Sequence, residues 1–599
     1  MYGKFYFSFM LGLLLTAAVY GQNKPTRVVT DADLGTGSYL WSQDTVYLLD
    51  GYVFLETGGI LNIERGTVVK GINKPTNASD NASALIITKG AMINARGTAE
   101  EPIIFTAELD DVNDPTDLGA LDKGLWGGLI LLGNATVGED GGFDNIEGIP
   151  ADEGRAEYGG DKDDDNSGVL SYISIRHGGA ALQADNEING LTLGGVGSGT
   201  QIHHIEVFAN EDDGIEFFGG TVDLKYGATI FCGDDGFDYD ESWGGRGQFW
   251  FYISETDNGN CAGEHDGSER TDKQPKSFPV IYNATYIGSG SASGNAASIG
   301  LDMKDDAAAV YANSVFTGFS TGVRFRNRGT SDAYSRYMTD GDTKFLNNLW
   351  WDFAAGNDPN NFVVITDNQN GGVVGDVVAK LVAEGNQVVN PQLSGISRTP
   401  NQQLDPRPNS GSPAYSNAVA ATDEWFDAVT YRGAFDAKNN WMLSWTATDE
   451  LGYFGDLFNP TVEFVRDEDL VAGGTYTFTN DKEWILDGYV FLEEGGSLTI
   501  QPGTVIKGKN QPTNASDNAS ALIITKGATI NACGTADQPI IFTAELDDVN
   551  DPTDLGAQDK GLWGGLILLG NATVGEDGGF DNIEGIPADE GRAEYGGDK

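Results

Sequence analysis

The sequence predicts an all-β protein, a right-handed parallel β-helix (solenoid) present as tandem domains, and three observations carry that prediction. Apolar runs of about four residues recur roughly every 18 to 26 residues, as around Ile63, Ile86, Ile104 and Ile130, a spacing of one solenoid coil. Glycine, 83 of 599 residues, is about twice its usual ~7% share and punctuates those runs, while helical periodicity is hard to find after the first twenty residues. Finally, Asp50–Lys162 returns as Asp487–Lys599, an offset of 437, with thirteen substitutions; from Pro102 onward the copies differ only at Leu121 and Gln558. Such a period describes one domain and the beginning of another.

The N-terminus carries Lys4, an apolar run from Phe5 to Val19 and a small-residue stop at Val19-Tyr20-Gly21. Residues 1–21 therefore read as a cleavable signal peptide, which places the protein outside the cell or on its surface and leaves no membrane span in the mature chain. Three cysteines, Cys232, Cys261 and Cys533, form no disulfide framework.

The first domain is expected over 22–464. Tyr52–Leu55, Ile60–Ile63, Thr67–Lys70, Ala84–Ile87 and Ile103–Phe105 read as strands, and no regular set of two-residue turns marks them as hairpins. Asp110–Lys123 and Gly138–Asn166, acidic and rich in Gly and Pro, read as loops thrown out from one corner, with a buried strand at Gly124–Leu132 between them. The rhythm resumes at Leu170–His177 and Ile202–Val207. Then Asp212-Asp213-Gly214-Ile215-Glu216-Phe217 is answered 22 residues later by Asp234-Asp235-Gly236-Phe237-Asp238-Tyr239. Alternation puts Ile215 on Phe237 and Phe217 on Tyr239 inside, with Glu216 and Asp238 outside. A degenerate third rung is expected at Asp257-Asn258-Gly259. From about Asn390 the composition shifts to Pro, Asn and Ser, and the aromatic segment Trp425–Trp445 is expected to cover the end of the solenoid, whose last coil is otherwise an open edge. The second domain starts near Val465, where Asp467-Glu468-Asp469-Leu470 echoes Asp31-Ala32-Asp33-Leu34, and 465–599 reads as its truncated start.

A formal charge of −53, from 89 acidic and 36 basic side chains, excludes nucleic acid and anionic membrane surfaces as partners and favours divalent cations. The acidic rungs are the most informative chemical feature. Stacking Asp212 on Asp234, Asp213 on Asp235 and Glu216 on Asp238 sets like charges about 4.8 Å apart. Three readings stay open: turn-capping carboxylates facing water, an oxygen-only site for Ca²⁺, or catalytic acids. The histidines make no transition-metal site by spacing. His203 and His204 are adjacent and expected on opposite faces of a strand, and His177 and His265 read as solvated turn residues. Asp161–Gly168 and Asp110–Asp117 satisfy no EF-hand pattern.

Asn210-Glu211-Asp212-Asp213-Gly214 followed by Gly233-Asp234-Asp235 resembles the Asn-Thr-Asp and Asp-Asp motifs of polygalacturonase-type glycoside hydrolases. Val323-Arg324-Phe325-Arg326 resembles their Arg-Ile-Lys motif. The resemblance implies acid and base carboxylates at Asp213, Asp234 and Asp235, and uronate binding by Arg324 or Arg326; the family's Gly-His-Gly is replaced by Gly244-Gly245-Arg246-Gly247. More broadly, Gly124-Leu125-Trp126-Gly127-Gly128, Tyr172–Gly179 and Tyr431-Arg432-Gly433-Ala434-Phe435 with Trp441 and Trp445 resemble exported right-handed β-helix proteins of Bacteroidota with a pectin-lyase-like fold, many sent through a type IX system. The leading expectation is a secreted or cell-surface structural or binding protein, adhesin-like or a stalk, stabilised by Ca²⁺ held by Asp212, Asp213, Glu216, Asp234, Asp235 and Asp238. The alternative is a polysaccharide hydrolase or lyase using the same rungs, and the expected partners are a polysaccharide or other cell-surface ligand and divalent cations.

Overall fold

The computed structural model describes residues 24–599 apart from 78–79, 151–152, 181–187, 329–331, 410, 456–460, 481, 515–516, 536–537, 548, 550–554, 577, 588–589 and 598–599. The leader expected at 1–21 lies outside the described residues. The chain divides into two compact units, Met1–Gly455 and Asp456–Lys599, and the first is a right-handed parallel β-helix.

Ten parallel strands of the first unit stack in chain order, from Tyr52–Leu55 through Ala84–Ile87, Leu129–Leu132, Leu191–Gly194, Ile215–Phe218, Phe237–Asp240, Cys261–His265, Ile299–Met303 and Thr321–Arg326 to Val363–Thr366. The other faces of the coil form one continuous nineteen-stranded sheet. Continuity arises because Gly168–Arg176 pairs first with Met92–Arg96 and then with Ile103–Ala107. Alternation sends every second side chain inward, so the ten-stranded sheet builds vertical columns. One runs Leu55, Ile87, Leu131, Leu193, Phe217, Tyr239, His265, Met303 and Phe325. The fully buried Leu131 and Leu193 each contribute about 1.5–3 kcal/mol of burial.

The rungs fall as the alternation predicts, with Ile215 on Phe237, Phe217 on Tyr239 and Glu216 beside Asp238. Gly214 and Gly236 are needed because the opposite wall comes close. A Cβ on Gly214 would lie 2.4 Å from Thr229, and one on Gly236 would lie 2.4 Å from the Tyr252 ring. The third rung sits three residues beyond its expected place: Cys261–His265 pairs with Phe237–Tyr239, so Asn260 follows Asp234 in register and 257–259 belongs to the preceding loop. The two acidic loops also leave from opposite ends of strand Leu129–Leu132 rather than from one corner.

One corner of the coil is a column of residues with left-handed backbone. Tyr172, His204, Tyr226 and Phe249 hold φ between 50° and 57°, an unfavourable region for such side chains. Their rings stack at 4.2, 4.2 and 4.9 Å, which offsets the cost. Further along, Asn283, Asn313 and Asn347 take the corner, a residue type that tolerates this conformation. The bend at His204 corrects the expectation that His203 and His204 face opposite ways, since their Nδ1 atoms lie 2.9 Å apart.

The segment expected to close the end of the solenoid instead runs back along its side. The Asn283, Asn313 and Asn347 amides donate to the carbonyls of Tyr431, Val419 and Asn417. Trp441 and Trp445 pack on His204, and buried Glu206 accepts from the backbone of Ala447 and Thr448. The last coils are covered by a helix, Val374–Ala383, whose Val377 and Leu381 enter the core.

The second unit repeats the opening coils. Its strands form parallel ladders Thr461–Val465 to Ile541–Ala544, Thr475–Phe478 to Thr529–Ala532, and Tyr489–Leu492 to Gly565–Leu568.

Candidate functional site

The outward side chains of the ten-stranded sheet form a column as continuous as the inward ones. It reads Phe54, Ile86, Ile130, Thr192, Glu216, Asp238, Glu264, Asp302, Arg324 and Val364. The apolar end is covered by the 137–158 loop, whose Val137, Ile146, Ile149, Ala156 and Tyr158 pack on Ile86 and Ile130. Beyond it the face opens into a cavity of about 550 Å³.

All six residues expected to hold metal line this cavity, together with Glu147, Glu211, Glu264 and Asn189, and no basic side chain lines it among the described residues. One oxygen from each of Asp212, Asp213 and Asp234 lies within 4.8 Å of the others, and Asp213, Glu216 and Asp238 make a second such set. Asp213 belongs to both. Backbone bonds hold the inner carboxylates in place: Asp213 Oδ1 accepts from the Asp235 amide at 2.8 Å, and Asp235 Oδ1 accepts from the Cys261 amide one coil on. The Asn189 amide donates to Glu216. Asp238 Oδ1 is buried with no hydrogen-bond donor.

Asp213, Glu216 and Asp235 are 7%, 7% and 2% exposed. Burial raises the pKa of Asp213, Glu216, Asp235 and Asp238 well above the carboxylate range, and neighbouring carboxylates raise each further: Asp212 for Asp213, Asp213 for Glu216 and Asp235, and Glu216 for Asp238. The arrangement is unfavourable as four bare anions and favourable once protons or a cation enter. Cys261 Sγ lies within 4.8 Å of Asp235 and Glu264 oxygens, and burial and these carboxylates push its pKa up. The remaining donors are hard oxygens, the set Ca²⁺ takes in six- to eight-fold coordination.

Arg324 and Arg326 stand apart from the cavity lining, both on buried Asp302, with Arg324 Nε 2.7 Å and Arg326 Nη2 3.3 Å from its oxygens. Lys304 bridges Glu264 and Asp266 at 2.6 and 2.7 Å; burial lowers its pKa, the two carboxylates raise it more, and it stays charged. Neither histidine read as a solvated turn residue is solvated. His177 lies buried with Nδ1 2.6 Å from the Asp122 carbonyl, and His265 is an inward core residue stacked on Tyr239 and bonded to the Tyr311 hydroxyl. Sequence reasoning missed Glu264, whose signal was the alternation that also places Asp238, displaced by a longer coil.

The family model described as a pectate-lyase-like beta helix domain matches residues 35–372 and again 471–599. No curated protein matches the chain. Among solved structures, the PL6 family alginate lyase AlyGC and an arginine-to-alanine mutant of it are similar. Each shows 10% identity over 92% of this chain and 74% of that one, with a TM-score of 0.29. Among the described residues no helix is long and apolar enough to cross a membrane.

Proposed function

The chain belongs to the family of pectate-lyase-like β-helix domains, and from that premise we propose that its first unit is a polysaccharide-active protein that binds Ca²⁺ in the acidic cavity and works on a uronate-bearing chain. The observation that carries this reading is the pair of carboxylate sets sharing Asp213, drawn from successive coils and facing an open cavity with no basic side chain in its lining among the described residues. Asp212, Asp213, Glu216, Asp234 and Asp238 would hold the ion, with Asp235 and Glu264 supplying further charge. Bound there, Ca²⁺ would neutralise a uronate carboxylate and acidify the adjacent C–H, the chemistry of β-elimination.

The chain's own residues contribute orientation. Asp302, in register one coil beyond Glu264 and two beyond Asp238, fixes Arg324 and Arg326, and Arg324 stands one coil further on. A polyanion lying along this column would set one carboxylate at the cation and another at the guanidiniums. The leader expected at residues 1–21 would place the protein outside the cell, where such a substrate would lie.

The experiment is incubation with polyuronates and neutral glycans, with Ca²⁺ or with EGTA, following unsaturated and reducing ends. Ca²⁺-dependent product from a polyuronate, abolished in Asp213→Asn and Asp238→Asn, supports the reading; product unaffected by EGTA and both variants sinks it. A second reading, a structural or binding protein, is favoured by the origin of the ligands on successive coils, because an ion there clamps coil to coil. In that case EGTA lowers the melting temperature while no glycan yields product.

A further inference from the structure

A second group of carboxylates lies outside the cavity, where the 138–159 loop meets the turn after strand Phe237–Asp240. The loop packs its apolar side on the sheet and places Glu139 and Asp144 against Glu241. One oxygen from each of these three lies within 4.8 Å of the others. Glu241 is only 5% exposed, and it starts a turn in which it and Ser242 hold φ of 49° and 70°. Its Oε1 accepts from the Tyr158 hydroxyl, whereas Oε2 is buried with no hydrogen-bond partner. A buried carboxylate oxygen left without a donor is unfavourable, and the charges that act most on Glu139 and Glu241 are all carboxylates, Asp144, Asp140, Asp240 and Glu269 among them. A carboxylate with one orphaned buried oxygen, grouped with two further carboxylates, is the environment that a hard cation completes.

We propose that Glu139, Asp144 and Glu241 form a second divalent-cation site, of Ca²⁺ type with water filling the remaining positions, which ties the 138–159 loop to the coil at Glu241. It uses no residue of the acidic cavity and does not rest on the proposed function. Glu139 and Asp144 recur in the duplicated segment as Glu576 and Asp581, but Glu241 lies in the unduplicated coils, so the site joins repeated sequence to unique sequence.

The test is equilibrium dialysis of the full chain against Ca²⁺, with hydrogen exchange of the 138–159 loop read in parallel. Glu241→Gln and Asp144→Asn should each hold one ion fewer than the wild type and lose the Ca²⁺-dependent slowing of exchange in the loop, whereas Asp238→Asn keeps that slowing. An unchanged ion count with unchanged loop protection in both variants overturns the proposal. Asp144 is exposed, so Asp144→Asn decides the matter if Glu241→Gln does not fold. If the cavity itself binds nothing, the wild type still holds the ion that both variants lose, and the two claims fail separately.

Discussion

The two halves of the outer face of the ten-stranded sheet share one backbone and differ in everything else. Over Phe54, Ile86 and Ile130 the face is apolar and roofed by the 137–158 loop. Over Glu216, Asp238 and Glu264 the same outward positions are acidic and border an open cavity. The first half is built by sequence that the chain contains twice, and the second by sequence it contains once. Parallel stacking amplifies either choice, because whatever side chain occupies an outward position is repeated about every 4.8 Å. In one half the column becomes a second small core, and in the other it concentrates like charge that protons or a cation must offset.

The largest expected effect lies in the apolar half. Ile130→Ala should destabilise the first unit by about 2–5 kcal/mol in denaturant unfolding, because Ile130 is fully buried beneath the loop; a loss below about 1 kcal/mol would show that the loop does not cover it. In the acidic half the dominant variable is the ion. Ca²⁺ at about 100 times its Kd should add about 2.7 kcal/mol, seen as a higher melting temperature that EGTA reverses.

A smaller effect separates the halves more sharply because its sign changes. Without divalent ions Asp238→Asn should stabilise the unit by about 1 kcal/mol, since it removes one of several crowded anions. With Ca²⁺ the same variant should be less stable than the wild type. No comparable reversal is expected for Ile130→Ala.

The pH profile of the ion-free protein is an independent check on the acidic half. Burial and neighbouring carboxylates raise the folded pKa of Asp213, Glu216, Asp235 and Asp238, and push Asp240 up to about 8 and Glu241 up to about 9. A raised folded value means that stability is greatest below the unfolded carboxylate pKa of about 4 and is lost as pH rises through the folded values. Stability without ions should therefore decline from about pH 5 toward about pH 9, and Ca²⁺ should flatten that decline. A flat profile in EGTA would contradict the crowding.

Much of this face was legible in the sequence. The Asp-Asp-Gly pair with its 22-residue spacing located six of the cavity carboxylates and their register, because alternation and coil length are local properties. Glu264 was hidden by arithmetic: its coil is four residues longer, and Asn260-Cys261-Ala262 replaces the Asp-Asp-Gly that announces the other two. Glu147 reaches the cavity from a loop, and no period links it to the rungs. The side-lying course of 413–450 was equally hidden, since corner asparagines and Glu206 anchor it by hydrogen bonds to residues far away in sequence. The histidines misled because Gly-rich surroundings suggest solvated turns, whereas His265 occupies an inward column position.

Calorimetric titration of the full chain with Ca²⁺, alongside Asp213→Asn, tests the cavity most directly, because Asp213 is shared by both carboxylate sets. Saturable binding in the wild type that weakens by at least about tenfold in Asp213→Asn is the expected result. Equal binding by the two proteins, or no binding by either, would contradict the assignment of the acidic face as a cation site.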